Sequence, residues 1–141
     1  MGTDATRVST YNPWVALDWY VSGRTVGGLQ VYERGNLLER EEALRLYTHG
    51  SAAFSGEADV KGRIKPGMLG DLAVLSDDYF GVGAEAIAGI ESVLTIIGGR
   101  IVHAAAEFSP LAPPPLAASP GWSPRNFQKV SFSNACLMNI S

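Results

Sequence analysis

The sequence has very little cysteine and no long apolar run. Cys136 is the single cysteine among 141 residues, so a disulfide within the chain is excluded, which agrees with a reducing cytoplasm. No apolar stretch reaches the roughly 20 residues that cross a bilayer. The first residues lack the basic and apolar regions of a signal peptide. We therefore expect a cytoplasmic chain without a membrane segment.

Positive charge is also scarce. Eleven Lys and Arg residues against 14 Asp and Glu residues give a formal net charge of -3, and no basic run is present to neutralise phosphates. We therefore expect no nucleic-acid partner. What the chain does have is a globular composition, with 46% hydrophobic and 18% charged residues, which is not typical of disorder. The length fits one domain.

Two segments carry helix signals. Residues 12–23, NPWVALDWYVSG, begin with an Asn12 cap and with Pro13 at the first helical position, and Gly23 can end the helix in the left-handed conformation. The apolar face of this helix consists of Trp14, Leu17 and Val21. Residues 40–54 form the second predicted helix. Its start is weak because Glu39 occupies the cap position, which costs about 1 kcal/mol unless Asn36 caps an earlier turn.

From residue 62 the pattern predicts strands. A Pro66-Gly67 turn precedes Leu72–Leu75, a short apolar run that indicates a buried strand. Residues 91–105 contain two β-rich arms joined by Gly98-Gly99, a dipeptide typical of a two-residue hairpin turn. The arm from Val93 to Ile97 is apolar on both faces, so we expect both faces to be covered.

These elements leave the predicted fold one-sided. Two or three strands make a sheet with unpaired edges, and the first helix has no evident apolar partner. Six of the eight prolines fall between Pro110 and Pro124, which predicts an extended tail that could lie on a surface through Trp122. Residues 125–141 show no clear period. The sequence thus looks like one side of a structure whose other side lies elsewhere.

The segment GRIKPGMLGDLAVLS, residues 62–76, resembles a signature of the amidohydrolase superfamily. Six of its residues match that signature: Gly62, Ile64, Pro66, Gly67, Asp71 and Leu72. Gly70 stands where the superfamily usually has Ala. In those enzymes the signature leads from the last barrel helix into a small β-sandwich beside the barrel.

Four further segments resemble the same superfamily. EALRLYT at 42–48 is similar to the preceding helix, and SVLTIIGGRIVHAA at 92–105 is similar to the closing hairpin. The tail APPPLAASPGWSP at 112–124 resembles the amidohydrolase family 3 branch, which includes D-aminoacylase-like and N-substituted formamide deformylase-like enzymes. GTDATRVSTYNPW at 2–14 resembles the end of the eighth barrel strand. The resemblance therefore runs from Gly2 to Pro124.

This resemblance implies an α/β fold, as the C-terminal remnant of a TIM-type (β/α)8 metal-dependent hydrolase barrel plus part of its β-sandwich. Residues 1–56 would be the end of the barrel, after strand eight. Residues 57–108 would be the C-terminal part of the β-sandwich, with the Gly98-Gly99 hairpin, and residues 109–141 the proline-rich tail. Gly62, Pro66, Gly67, Gly98 and Gly99 would be structural turn residues without a substrate contact.

By the same resemblance, Asp4 is both the catalytic residue and a metal ligand. In the family this aspartate takes a proton from metal-bound water and passes it to the leaving nitrogen, chemistry that suits a carboxylate. The resemblance implies a divalent metal, zinc above all, and a small-molecule substrate of the amide type in the parent enzyme. The reaction would be hydrolysis of a carbon–nitrogen bond other than a peptide bond.

The remaining ligands of the family have no counterpart in this chain. A hydrolytic zinc site needs three protein ligands, and Asp4 supplies one. We therefore expect the isolated chain to be a truncated segment that binds no metal and is inactive. We also expect it to pair with the missing barrel portion or to self-associate. The alternative is a non-catalytic interaction module that pairs through open strand edges.

The other chemically suggestive residues have simpler interpretations. His49 is expected to be a solvated helix residue, and His103 a surface residue at a strand end. Arg7 is more typical of a solvent-exposed arginine than of a substrate contact. Cys136 has no nearby base in the sequence and is expected to be inert. The pair Asp77-Asp78 indicates a solvated loop rather than a cation site.

Overall fold

The computed structural model describes residues 10–114. The helical elements are α1 (Pro13–Ser22), α2 (Arg40–Arg45), a π-helical turn (Leu46–Gly50) and α3 (Ser51–Phe54), and the strands are β1 (Leu72–Leu75), β2 (Ser92–Ile97) and β3 (Arg100–Ala104). Short 3-10 turns lie at Arg34–Asn36, Ala84–Gly89 and Ala106–Leu111. None of the helices in residues 10–114 is both long and apolar enough to cross a membrane.

Helix α1 begins and ends where the sequence predicts. The Asn12 side chain accepts a hydrogen bond from the backbone N–H of Trp14 at 2.9 Å, and Pro13 occupies the first turn. Gly23 adopts φ 66°, and its N–H donates to the Trp19 carbonyl at 2.9 Å. A left-handed glycine with this hydrogen bond is a common way to end a helix.

The second predicted helix is present but irregular. The chain is helical from Arg40 to Phe54, and the π-helical turn Leu46–Gly50 interrupts the α-helical hydrogen bonding. Glu39 makes no side-chain capping bond, as its residue type suggests. Asn36 ends a separate 3-10 turn, with Leu37 extended after it, so it does not relieve this weak start. The π-helical turn has no counterpart in the sequence prediction.

The three strands form an antiparallel sheet in the order β1-β2-β3. The hairpin predicted at Gly98-Gly99 joins β2 to β3, with φ 56° and 75° at the two glycines. Positive φ at both turn residues matches the twist of antiparallel strands. Register irregularities occur at Val74/Leu75 in β1 and at Thr95/Ile96 in β2.

The prediction that the strands are buried is wrong for much of the sheet. Leu72 is 38% exposed and Val74 40% exposed on β1, and Ile97 is 57% exposed at the end of β2. Val93 and Leu94 are buried, so only the start of β2 is covered on both faces. The reason is that β1 is an edge strand and that the helices cover only part of a sheet face. An apolar run cannot show how far neighbouring elements extend.

The core lies between α1, α2 and the segment that follows β1. Its buried residues are Leu17, Ala43, Tyr79, Ile87 and Ile90. Helix α1 packs mainly against the 3-10 turn Ala84–Gly89 and also against α2. The expectation that α1 lacks a partner is therefore wrong, because the partner is a short turn about 60 residues later in the chain rather than another long amphipathic element.

Candidate functional site

The principal predicted site residue, Asp4, lies outside the described residues, as do Arg7 and Cys136. The structure therefore begins just after the segment that carries the predicted catalytic carboxylate. Thr10 accepts a hydrogen bond from the N–H of Asn12 on its side-chain oxygen at 3.1 Å. The local structure at this end of the described residues is thus an ordered helix start.

The signature segment begins with a close contact at Gly62. Gly62 has φ 88°, and a Cβ placed on it would lie 2.8 Å from the Ala52 Cβ and 2.9 Å from the His49 Cα. Glycine is therefore required here both by backbone conformation and by space. This contact seats the segment on the helical region at the π-helical turn.

The next part of the signature is a tight turn. The N–H of Met68 donates to the Lys65 carbonyl at 3.2 Å, with Pro66 second and Gly67 third in the turn. Gly67 has φ 87°. Proline followed by a glycine with positive φ is the arrangement of a type II turn. The turn leads the chain into β1.

Asp71 and Gly70 then attach the signature to the hairpin. The Asp71 carboxylate accepts a hydrogen bond from the N–H of Gly98 at 2.7 Å, and the N–H of Gly99 donates to the Gly70 carbonyl at 3.0 Å. A Cβ on Gly70 would lie 3.1 Å from the Gly99 nitrogen, tighter than ordinary contact. Asp71 thus has a structural partner in the hairpin turn, whose N–H groups it helps to satisfy.

The two histidines do not form a site in the described residues. His103 is exposed on β3, as predicted. His49 is only partly exposed, and its Nδ1 is buried without a hydrogen-bond partner, so the prediction of a solvated residue is wrong. The cause is the segment at Gly62, which packs on this part of the helix. A contact between residues this far apart in the chain is not visible in a helical pattern.

The described residues also do not fit a metal centre. Within residues 10–114, no group of three or more His, Cys, Asp or Glu side chains is placed to hold an ion. The Asp77-Asp78 pair lies in a loop where Asp78 accepts a hydrogen bond from the N–H of Phe80 at 3.0 Å and Asp77 accepts one from the Ser76 hydroxyl at 2.8 Å. These carboxylates stabilise the loop.

A polar cleft that the sequence patterns did not indicate lies between α1 and the segment 24–37. It has a volume of about 770 Å³, and Asp18, Arg24 and Arg34 are among its lining residues. Burial raises the pKa of Asp18, while a hydrogen bond from Ser22 and the positive charge of Arg24 act in the opposite direction. The cleft holds charges of both signs and could take a polar group.

Gln30 makes three of the side-chain hydrogen bonds that hold the segment 24–37. Gln30 accepts a hydrogen bond from Nε of Arg24 at 2.9 Å and donates from Nε2 to the carbonyls of Ser22 at 2.9 Å and Tyr32 at 2.6 Å. Arg24 and Gln30 also form an antiparallel bridge. These contacts join residues two to eight positions apart, and they leave no periodic signal in the sequence.

An apolar groove of about 510 Å³ runs between the helices and β1. Trp14, Tyr47 and Leu72 are among the side chains that line it. Burial raises the pKa of Tyr47, and the nearby Tyr20 acts in the same direction. The groove contains few charged groups, so it can accept apolar side chains rather than an ionic ligand.

Comparison with protein families defines the class of the chain. Residues 1–103 match the model of the amidohydrolase family, so the chain belongs to the amidohydrolase family. This confirms the family that the signature at 62–76 indicated. The matched range includes the segment that carries Asp4 and ends within the hairpin.

One curated relative is a protein of Bacillus subtilis (strain 168) named as an amidohydrolase, YtcJ. It is 35% identical over 72 residues, which are 51% of this chain and 14% of the relative. The match thus spans about one-seventh of that relative's length. No solved structure matches the chain significantly.

Proposed function

We propose that this chain is the C-terminal part of a metal-dependent hydrolase that acts on carbon–nitrogen bonds other than peptide bonds. The observation that carries the proposal is the family match over residues 1–103, which contains the segment of Asp4. The small fraction of the relative that is covered, 14%, is consistent with a part of a longer enzyme. The substrate would be a small molecule with an amide-type bond.

Finer features of the proposal come from the sequence motifs. The tail at 112–124 supports the branch with D-aminoacylase-like and N-substituted formamide deformylase-like enzymes. The signature and hairpin support a division into a barrel end at 1–56, a β-sandwich part at 57–108 and a tail at 109–141. The hydrogen bond from the Gly98 N–H to Asp71 would give the signature aspartate a structural role in such a sandwich.

Asp4 is the proposed catalytic carboxylate and metal ligand of the complete enzyme. A carboxylate can ligate zinc and exchange a proton. Because residues 10–114 do not hold a cluster of metal-binding side chains, the other ligands of a zinc site would have to come from outside that range. We therefore expect this polypeptide by itself to retain no metal and to hydrolyse no substrate.

Two preparations test this proposal. The first is the 141-residue chain, which is incubated with zinc and then dialysed to remove the free ion. It is assayed with N-acyl and N-formyl substrates, and bound metal is measured by mass spectrometry. We expect no turnover and no retained zinc. Hydrolysis by this purified chain with retained zinc would contradict the proposal that other segments are needed.

The second preparation joins the chain to the polypeptide encoded upstream of Met1, if that DNA continues in frame and encodes the remaining metal ligands of the family. We expect metal binding and amide hydrolysis, both lost in Asp4→Ala. The matched control is Asp59→Ala, which removes an exposed carboxylate of the described region and should keep activity. Full activity of Asp4→Ala would show that Asp4 is not a catalytic residue.

A second role, pairing through open strand edges, is favoured by one observation. Strand β1 pairs with β2 on one side, and the structure describes no strand on its other side within residues 10–114. Its exposed apolar side chains, Leu72 and Val74, suit contact with another strand. Pairing would not exclude the hydrolase role, since a strand edge and a catalytic carboxylate are separate features.

A further inference from the structure

The apolar groove between the helices and β1 is lined by aromatic rings and by exposed aliphatic side chains. Trp14 and Tyr47 line its helical side, and Leu72 lines its strand side. Ile64 also lines the groove and is 90% exposed. Covering these side chains would remove apolar surface from water, which is favourable. Grooves lined by aromatic rings are the surfaces on which proline-rich segments dock.

A proline-rich segment of this chain begins where the described residues end. Residues 113–124 contain five prolines and Trp122. Ala112, directly before them, has φ -58° and ψ 131°, which is close to the polyproline II conformation. The chain thus leaves the 3-10 turn Ala106–Leu111 in the backbone conformation that aromatic grooves recognise.

The segment that follows is long enough to reach the groove. Ala104 at the end of β3 lies opposite Leu94, and Leu94 lies opposite Val74. Because neighbouring strands are about 4.8 Å apart, the end of β3 is only about 10 Å from β1 across the sheet. Trp122 is eight positions after Pro114, and in polyproline II these residues span about 25 Å. Trp122 is therefore within reach of the groove.

Charge favours contact between this segment and the rest of the chain. The charged residues that line the groove are Arg63 and Asp71, whose charges balance, and Asp71 is already hydrogen-bonded to the hairpin turn. Residues 115–130 carry two basic residues and no acidic one, whereas residues 10–114 carry 13 acidic and eight basic residues. The proline-rich segment thus brings positive charge to an acidic body and meets no net charge in the groove.

We propose that residues 115–124 dock on the apolar groove of their own chain, with the Trp122 ring against Trp14 and Tyr47. A segment of the same chain is favoured over a separate partner because a short tether gives an effective concentration of about 1 mM. A contact with modest affinity is therefore sufficient. The inference does not rest on the proposed hydrolase role, since neither metal binding nor turnover enters it.

Fluorine NMR on the 141-residue chain labelled with fluorotryptophan tests the docking. The three tryptophans give three signals, and Trp122→Phe identifies the signal of Trp122. The difference in chemical shift between light and heavy water measures the exposure of each ring to solvent. For Trp122 we expect a difference well below that of free fluorotryptophan at every protein concentration. A difference equal to that of free fluorotryptophan, or burial that disappears on dilution, would overturn docking within one chain.

A charge placed in the groove should release the segment. Ala73 is exposed and lines the groove, so Ala73→Lys should raise the solvent effect at Trp122 to that of free fluorotryptophan. Thr48→Lys, on the helical side of the groove, should do the same and serves where Ala73→Lys does not fold.

Val74→Lys is the matched control, because Val74 is the next residue of β1, is 40% exposed and is not a lining residue of the groove. It should leave the Trp122 signal as in the parent. The signals of Trp14 and Trp19 show whether each variant keeps its fold. Release of Trp122 by Val74→Lys as well, or by neither groove variant, would show that the segment docks elsewhere.

Discussion

The side-chain oxygen Oδ1 of Asp71 lies 2.7 Å from the backbone nitrogen of Gly98, 27 residues further along the chain. One residue away on each side, the N–H of Gly99 donates to the Gly70 carbonyl at 3.0 Å. The two bonds tie the start of β1 to the hairpin turn between β2 and β3. The family signature in this chain therefore has a structural role, and its contribution to the free energy of unfolding can be measured.

Replacing Asp71 with Ala should destabilise the folded chain by about 1 kcal/mol, since a hydrogen bond is lost and the Gly98 N–H must find water. Asp71→Asn keeps an acceptor oxygen and should cost less. Urea denaturation measures the free energy of unfolding. Asp59→Ala, at an exposed aspartate, is the control and should change stability little. If Asp71→Ala and Asp59→Ala lost the same free energy of unfolding, the Asp71–Gly98 hydrogen bond would not stabilise the fold.

Gly62→Ala should be among the costliest single substitutions of a glycine. The new Cβ would lie 2.8 Å from the Ala52 Cβ, and the residue would keep φ 88°. We expect a loss of roughly 2–4 kcal/mol, combining left-handed strain of about 1 kcal/mol with overpacking. The measurement is the midpoint and slope of urea denaturation.

Gly28→Ala separates the two contributions to that loss. Gly28 has a similar φ of 84°, but a Cβ there would meet nothing within 4 Å. This variant should lose only about 1 kcal/mol from the backbone conformation. If the two variants lost the same free energy, the close contact of Gly62 with the helix would not matter.

Local signals in the sequence predicted the best-defined elements. Asn12, Pro13 and Gly23 fix the ends of α1 by side-chain and backbone chemistry within one turn, and Gly98-Gly99 fixes the hairpin in the same way. What the sequence missed depends on distant partners. The exposure of β1 and the burial of the His49 Nδ1 follow from elements that lie elsewhere in the chain.

For the candidate site, too, the sequence shows local motifs but not the arrangement of residues that come from different segments. The resemblance identified the family through short motifs, and the family match confirms it. The role of Asp4 remains a prediction, because that residue lies outside the described range and its proposed metal needs ligands from other segments. The sequence patterns did not indicate the polar cleft at Asp18, since Arg24 and Arg34 reach it from an aperiodic loop that Gln30 helps to hold.

The raised pKa of Asp18 leads to a prediction about pH. Because burial raises this pKa above 3.8 in the folded chain, the folded state binds the proton more tightly than the unfolded state. The stabilising effect is complete below pH 3.8 and is lost as pH rises through the folded-state pKa. Asp18→Asn should remove this loss, so the variant should gain stability relative to the parent between acidic and neutral pH.

Urea denaturation of parent and Asp18→Asn at several pH values measures the effect. Other carboxylates are common to both proteins, so the difference between the two curves isolates Asp18. Asp59→Asn is the control, and its curve should run parallel to that of the parent. A difference for Asp18→Asn that grows toward low pH would reverse the sign and contradict the assigned effect of burial.

Tyr79 and Arg40 hold each other through two hydrogen bonds. Nη1 of Arg40 donates to the Tyr79 carbonyl at 2.6 Å, and the Tyr79 hydroxyl donates to the Arg40 carbonyl at 3.1 Å. Tyr79 is 2% exposed, so each bond satisfies a group that has little access to water. The pair connects the start of α2 to the loop after β1.

Tyr79→Phe removes one of these bonds and keeps the ring, whose centroid lies 6.0 Å from that of the Trp14 ring. We expect the free energy of unfolding to fall by about 1 kcal/mol at neutral pH.

Burial raises the pKa of the Tyr79 hydroxyl above 10.0, although the charge of Arg40 opposes this. The parent should therefore lose stability as pH rises beyond 10.0 through the folded-state pKa, and Tyr79→Phe should lose less. Tyr11→Phe, at a tyrosine that is 78% exposed, should follow the parent in denaturation at both pH values. If Tyr79→Phe matched the parent at neutral and alkaline pH alike, the hydroxyl would have no part in joining α2 to the loop.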